Sequence, residues 1–276
     1  MTTAASVPTV VPDRDQVARF DDDGFIVLPG VLSGDEIDLL RKEFAALQAG
    51  GPIPGHFEPK PADEADAAAA TDPLHAYPRV MNPHRINPTA RRYLLDARFR
   101  AVVAALLREE PLAAQSMFYF KPPGARGQAL HQDNFYLRVE PGTCIAAWVA
   151  IDEIDRANGG LEVVPGTHRM DVFCPEDADP DVSFTREFVP PPAGLATVPV
   201  DMSPGDVLFF NGSLVHGSEP NQTADRFRRS FICHYIGTSS ERMSTWYQPL
   251  TMSGDPVELA ATLGGGPCGT EVGGPH

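Results

Sequence analysis

Apolar positions along this chain follow two different periods. In the first third they recur at helical spacing. Ser33-Gly34-Asp35-Glu36 has the form of a capping box, and Ile37, Leu40, Phe44 and Leu47 follow as one stripe ended by Gly50-Gly51. Helical spacing returns between Thr89 and Glu109, where Asp96 divides two segments. Before the first helix, Phe25-Ile26-Val27-Leu28-Pro29 between two glycines reads as a strand. Residues 51 to 75, rich in Pro and Ala, read as a long surface loop of the kind that serves as a lid.

From Gln115 onward the period shortens. Strands are predicted over Ser116–Lys121, Leu130–Leu137, Ile145–Ile151, Gly160–Val164, Asp206–Phe210 and Arg229–Ile236, separated by Pro122-Pro123-Gly124, Pro141-Gly142, Asn158-Gly159-Gly160 and Pro204-Gly205-Asp206 turns. Many short strands at this spacing indicate a mainly β domain with flanking helices, a sandwich or barrel of the jelly-roll type. The expected organisation is a loose arm over 1–13, one catalytic domain over 14–255 and a Gly-rich tail over 256–276.

Composition narrows the function classes. The 276 residues carry a net charge of −15, which argues against binding nucleic acid or an anionic membrane. No apolar run is long enough to cross a bilayer, and Met1 to Val11 has no basic segment before it, so no secretory signal is expected. The four cysteines share no Cys-x-x-Cys spacing, so neither a zinc cluster nor a dense disulfide framework is expected. A reducing cytoplasm fits these features. Oligomeric state is not legible.

The chemistry lies in the β-rich part. His131 and Asp133 flank Gln132, and in an extended strand residues two apart point to one side, so both can face one metal. His216, opening His216-Gly217-Ser218 on a later strand, would complete a set of two imidazoles and a carboxylate. That set holds non-haem Fe(II) while leaving coordination positions open. His168, after Val164-Pro165-Gly166-Thr167, and His234, between Ile232 and Ile236, compete for the third place, and spacing does not separate them. A 2-oxoglutarate co-substrate would need a bidentate cation for its distal carboxylate. Arg226, Arg228 and Arg229 follow His216, and alternation sends the last two to opposite faces.

These residues sit within five ordered segments: Asp23 to Leu32, Phe120 to Gly124, His131 to Asp133, Asn158 to His168, and His216-Gly217-Ser218 with Asn221 and Thr223. Together they resemble the phytanoyl-CoA dioxygenase family of Fe(II)/2-oxoglutarate-dependent oxygenases, from about Asp23 to Tyr235. The resemblance implies a double-stranded β-helix (a cupin-like jelly roll), with iron held by His131, Asp133 and His216 and with O₂ and 2-oxoglutarate as co-substrates. It removes His168 from the ligand set. It implies Arg228, in Phe227-Arg228-Arg229, as the anchor, with Arg226 kept as an alternative because the interval from His216 is one residue long. Ser218, Trp148, Gln132 and Met117 are the implied supporting contacts, and Arg79 is aligned with an upstream basic residue. Related halogenases replace the carboxylate by Gly or Ala. Asp133 therefore implies hydroxylation or another oxidation.

The expected substrate is a small organic molecule, a natural-product intermediate before an acyl-CoA ester or an amino-acid derivative. Its lid is expected from residues 51–85, 170–192 and 243–247, with Phe135 and Tyr136 as walls. A cupin-type metal enzyme without 2-oxoglutarate and a non-catalytic binding protein are the readings from other classes.

Overall fold

The structure is a computed structural model and describes residues 10–58, 74, 79–262 and 269. The helical layer comprises α1 (Arg14–Asp23), α2 (Gly34–Ala49), α3 (Pro88–Leu94) and α4 (Ala97–Leu107). Helix α1 is capped by Asp13 and Gln16 and was not foreseen from the sequence. The box at Ser33 forms reciprocally with Glu36, as its spacing predicts.

Two antiparallel sheets make the β core. The larger runs β1 (Phe25–Leu28), β10 (Val207–Asn211), β5 (Ile145–Ala150), β12 (Ser230–Gly237), β3 (Pro111–Tyr119), β2 (Arg79–Met81). The smaller runs β4 (Gln128–His131), β11 (His216–Ser218), β6 (Leu161–Val163), β9 (Val198–Pro199). Register places Leu208, Trp148, Ile232 and Met117 across one face of the larger sheet, and this face turns toward the smaller sheet. Phe118, Phe231, Val149 and Val207 alternate onto the opposite face, where the helices cover them. There Phe44 of α2 stacks on Phe118 with ring centroids 3.8 Å apart.

Two expectations need correction. The strand predicted over Leu130–Leu137 ends at His131, and Asn134–Leu137 forms one helical turn, α5. The tail expected from 256 is packed at its start. Val257 and Leu259 lie against the cluster around Tyr247, and β14 (Ala260–Ala261) pairs with β13 (Arg242–Met243). In the segment after His168, β7 (Glu176–Asp177) and β8 (Glu187–Phe188) form a hairpin. The hairpin lies along the free edge of β4, where Val189 N–H donates to the Leu130 carbonyl. Most of the predicted 51–75 loop and the end of the tail lie outside the described residues.

Cys144 and Cys233 are buried thiols, and Cys174 is disulfide-bonded. No helix among the described residues is long and apolar enough to cross a membrane.

Candidate functional site

The smaller sheet brings the three metal-type residues together. His131 and His216 are direct partners on β4 and β11, with ring centroids 4.3 Å apart. So close an approach needs Gly217, because a Cβ there would lie 2.8 Å from the Gln128 carbonyl oxygen. Asp133 joins them by a route alternation does not describe. The chain leaves β4 and turns helical at Asp133 (φ −60°, ψ −35°), swinging its carboxylate back beneath both imidazoles. Asp133 Oδ1 lies 3.5 Å from His131 Nε2 and 3.6 Å from His216 Nε2, and one ligand atom from each of the three lies within 4.8 Å of the others.

Hydrogen bonds settle which nitrogen each ring offers. His131 Nδ1 donates to the Ala129 carbonyl at 2.8 Å and His216 Nδ1 to the Leu214 carbonyl at 2.9 Å. Both Nε2 lone pairs then face the carboxylate, the tautomer a metal requires. Burial pushes the His216 imidazole down to about 4 and keeps it neutral. Burial alone would raise the Asp133 carboxyl, but the facing imidazoles of His216 and His234 reverse this and hold it well below the usual carboxylate range. His234 Nε2 donates to Asp133 Oδ2 at 3.0 Å, so the former rival for the third place orients the carboxylate from behind. His168 sits away from the cluster, its Nε2 3.2 Å from the Asp21 carbonyl. Two imidazoles and a carboxylate, each held by a neighbour, fit Fe(II) in the two-histidine, one-carboxylate pattern.

A cavity leads from the triad between the sheets past Trp148, Leu161 and Ile232 to Arg228. Arg228 is 3 % exposed, and among the described residues it makes no ion pair. Its Nε donates to the Gly159 carbonyl and its Nη1 to Ser230 Oγ, at 3.1 and 2.9 Å. Its guanidinium lies over the rings of Trp148 and Tyr119 at 5.4 and 5.9 Å. Burial lowers it to about 10. Arg226 is removed as an alternative, because its guanidinium spans Asp155 at the surface with contacts of 2.7 and 3.0 Å. Arg229 is similarly held by Asp152.

Lys121 was quoted only as part of a motif, yet it is a second buried cation at this end. Its Nζ donates to the Gly159 carbonyl and Ser218 Oγ, both at 2.9 Å, and to the Glu219 carbonyl. Burial, reinforced by the neighbouring Arg228 charge, drives its ammonium well below the ordinary lysine value. A Cβ on Gly159, whose φ is +74°, would come within 2.6 Å of Lys121 Nζ, so only glycine fits there. Ser218 Oγ accepts from Lys121 and from the Gln128 N–H, which leaves its own proton to be donated.

The other expected contacts divide. Met117, Trp148 and Ser218 line the cavity. The Gln132 side chain does not: its amide donates to the Ser213 carbonyl and accepts from Phe173 N–H, both at 2.7 Å. Tyr136 packs edge-on against His131 and donates to Glu187 on the hairpin at 3.1 Å, while Phe135 joins a separate apolar cluster. Phe184, before β8, faces Tyr119 at 6.2 Å, so residues 170–192 do reach the metal end. Residues 243–247 pack elsewhere. Gln128 and Tyr119 also line the cavity, unforeseen from the sequence.

Comparison with known proteins identifies the family. The model of the phytanoyl-CoA dioxygenase family matches residues 20–230. The chain belongs to that family. It is an Fe(II)- and 2-oxoglutarate-dependent dioxygenase on a jelly-roll fold. Among relatives, phytanoyl-CoA dioxygenase domain-containing protein 1 of Bos taurus is 26% identical, over 85% of this chain and 94% of its own. Ectoine dioxygenase of Sphingopyxis alaskensis is 28% identical, over 90% and 86%. The structure of EctD from S. alaskensis with 2-oxoglutarate and 5-hydroxyectoine superposes with a TM-score of 0.67 at 26% identity, over 92% and 88%. The carbocyclase SnoK from nogalamycin biosynthesis, at 22% identity and a TM-score of 0.65 over 90% and 94%, shares the fold.

Proposed function

We propose that His131, Asp133 and His216 hold the iron, that Arg228 and Ser218 hold the distal carboxylate of 2-oxoglutarate, and that the enzyme oxidises a small organic molecule of secondary metabolism. The observation that carries the reading is Arg228. It is a buried cation that makes no ion pair among the described residues, across the cavity from the triad. An uncompensated buried charge is costly, so an anionic ligand is expected to complete it. Neither a cupin-type enzyme without a dicarboxylate nor a bare scaffold has use for that arrangement.

The iron supplies oxidation chemistry once it and the co-substrate are bound. The chain's own residues set the stage. The carbonyls of Ala129 and Leu214 fix the imidazole tautomers, and His234 aims the Asp133 carboxylate. Trp148 and Ile232 wall the cavity against water, and the Ser218 proton is turned toward the anchored carboxylate. Phe184 and Glu187 bring the β7–β8 hairpin over the metal end, where substrate specificity is expected to lie. The net charge of −15 disfavours a CoA ester, whose phosphates seek basic surface. We place the enzyme in the cytoplasm on its buried thiols Cys144 and Cys233, although the Cys174 disulfide points toward a more oxidising compartment.

The test is succinate release with Fe(II), 2-oxoglutarate and a panel of natural-product, amino-acid and acyl-CoA substrates. Turnover stimulated by the first class is expected, and Asp133→Ala should abolish it. Failure of the wild type to bind Fe(II) and to turn over would sink the reading.

A further inference from the structure

Asn82, in the left-handed region at φ +47°, turns the chain off the edge strand β2 into a 3-10 turn, Pro83–Arg85, which walls a second cavity. That cavity holds about 520 Å³, within the range of about 300–1,000 Å³ usual for small-molecule sites. It shares no lining residue with the cavity at the triad.

Three donors line it. His84 is 4% exposed, and its ring is oriented by the buried Ser116. Ser116 Oγ accepts from the His84 backbone N–H at 3.3 Å and lies 2.7 Å from His84 Nδ1. Among the described residues the Ser116 hydroxyl proton has no other acceptor, so it goes to Nδ1, and the ring carries its own proton on Nε2. That N–H has no acceptor among the described residues. Burial, with the Arg85 and Arg91 charges added to it, pushes the imidazole down to about 3, so the ring is a neutral donor. The Arg85 side chain makes no hydrogen bond or ion pair among the described residues. The Arg91 side chain makes one hydrogen bond, from Nη2 to the Gly254 carbonyl at 2.7 Å. Glu258 also lines the cavity but is exposed and pairs with neither arginine. With 37 acidic residues against 22 basic in the chain, two guanidiniums at one cavity without a carboxylate partner stand out. Much of the remaining wall is apolar, with Met243, Tyr247 and Leu250 buried there.

We propose that this cavity is a second ligand site and takes a small organic oxyanion, a carboxylate or phosphate on an apolar body, whose charged end meets Arg85, Arg91 and the His84 Nε2 proton. The guanidinium fork matches both head groups. A buried N–H without an acceptor is costly, and an anion satisfies it while pairing the two cations. A neutral ligand would leave both charges uncompensated, and a cation would be repelled.

The experiment titrates benzoate, phenyl phosphate and uncharged benzyl alcohol calorimetrically into the metal-free full chain. At least one of the two anions is expected to bind at one site per chain, and benzyl alcohol at least ten-fold more weakly. The tighter anion tells a carboxylate ligand from a phosphate. Arg85→Gln should weaken that anion by about ten-fold, the loss of a hydrogen bond to a charged acceptor. His84→Phe should do the same. Should His84→Phe not fold, Arg85→Gln decides alone, because that exposed side chain holds nothing in the fold and the variant should melt with the wild type. Arg228→Leu should bind the anion as the wild type does. Binding of neither anion, equally tight binding of benzyl alcohol, wild-type affinity in Arg85→Gln, or a loss in Arg228→Leu would each overturn the proposal.

Discussion

Two buried arginines, one in the helical layer and one in the cavity, are treated in opposite ways. Arg98, 7% exposed on α4, is saturated. Its Nε and Nη2 donate to Asp96 at 2.9 and 2.7 Å, its Nη1 and Nη2 to Glu36 at 2.9 and 2.7 Å, and its Nη1 to the Val31 carbonyl at 2.9 Å. Hydrogen bonds donated to Asp96 and Glu36 push its pKa upward. Arg228, 3% exposed, has two neutral acceptors, and burial pushes it down to about 10. The first charge is compensated within the fold and ties α2 to α4. The second is left for something the fold does not contain. Burial of a cation says little about function; what stands opposite it says more.

Exchanging the lesions gives the largest test. Arg98→Leu strands two carboxylates and should cost about 3–5 kcal/mol of stability in urea unfolding. The protein that remains folded should keep its 2-oxoglutarate affinity. Arg228→Leu should do the reverse. Removing an unpaired buried cation should leave the ligand-free protein as stable as before, or more stable by about 1 kcal/mol. Its 2-oxoglutarate affinity should fall by about 2–5 kcal/mol, at least thirty-fold, because the ligand carboxylate is then buried alone. If Arg228→Leu destabilised the ligand-free fold as strongly as Arg98→Leu, the contrast would fail.

A smaller effect follows from linkage. A hundred-fold excess of 2-oxoglutarate over its dissociation constant should stabilise the metal-loaded wild type by about 2.7 kcal/mol. The melting temperature should rise in wild type and not in Arg228→Leu at the same ligand concentration. At the metal end, His234→Leu removes the donor that aims Asp133 and should weaken Fe(II) binding by about ten- to a hundred-fold, the usual range for a partner behind a ligand. His168→Leu should leave Fe(II) affinity unchanged.

The unequal legibility of these sites has physical causes. His131, Asp133, His216 and Arg228 are legible because their roles demand particular residue types in short motifs. The strands that carry them announce themselves by apolar runs between turns. The reason first given for Asp133, alternation along a strand, is not the one the chain uses, since the strand stops at His131 and a helical turn delivers the carboxylate. The family resemblance, and not alternation, put Gln132 in the site. It sits between two ligands, but its amide is spent on Ser213 and Phe173 outside the cavity. Lys121, Gln128 and His234 gain their positions from register across strands distant in sequence, 101 residues apart for His234 and Asp133. A periodicity has no access to such pairings. Lys121 had one signal, a lysine closing the predicted apolar strand Ser116–Lys121, and it was given no role there.

The smallest effect separates the two arginines by acid. The hydrogen bond from Arg98 holds the Glu36 carboxyl down to about 2, against an ordinary value of 4.5. A carboxyl depressed in the folded state stabilises it fully above the unfolded value, and that stability is lost as pH falls from 4.5 toward 2. Because Glu36 is partly exposed, solvent screening leaves an effect of about 1 kcal/mol, well below what the full shift would imply. Thermal melts should show this decline over that window in wild type and a shallower one in Glu36→Gln. The ligand-free Arg228→Leu protein should follow the wild-type curve, since among the described residues no carboxylate forms an ion pair with that cation. Adding 2-oxoglutarate and metal should steepen the wild-type curve and leave Arg228→Leu unmoved, because a dicarboxylate seated on Arg228 becomes the paired acid that the fold itself omits.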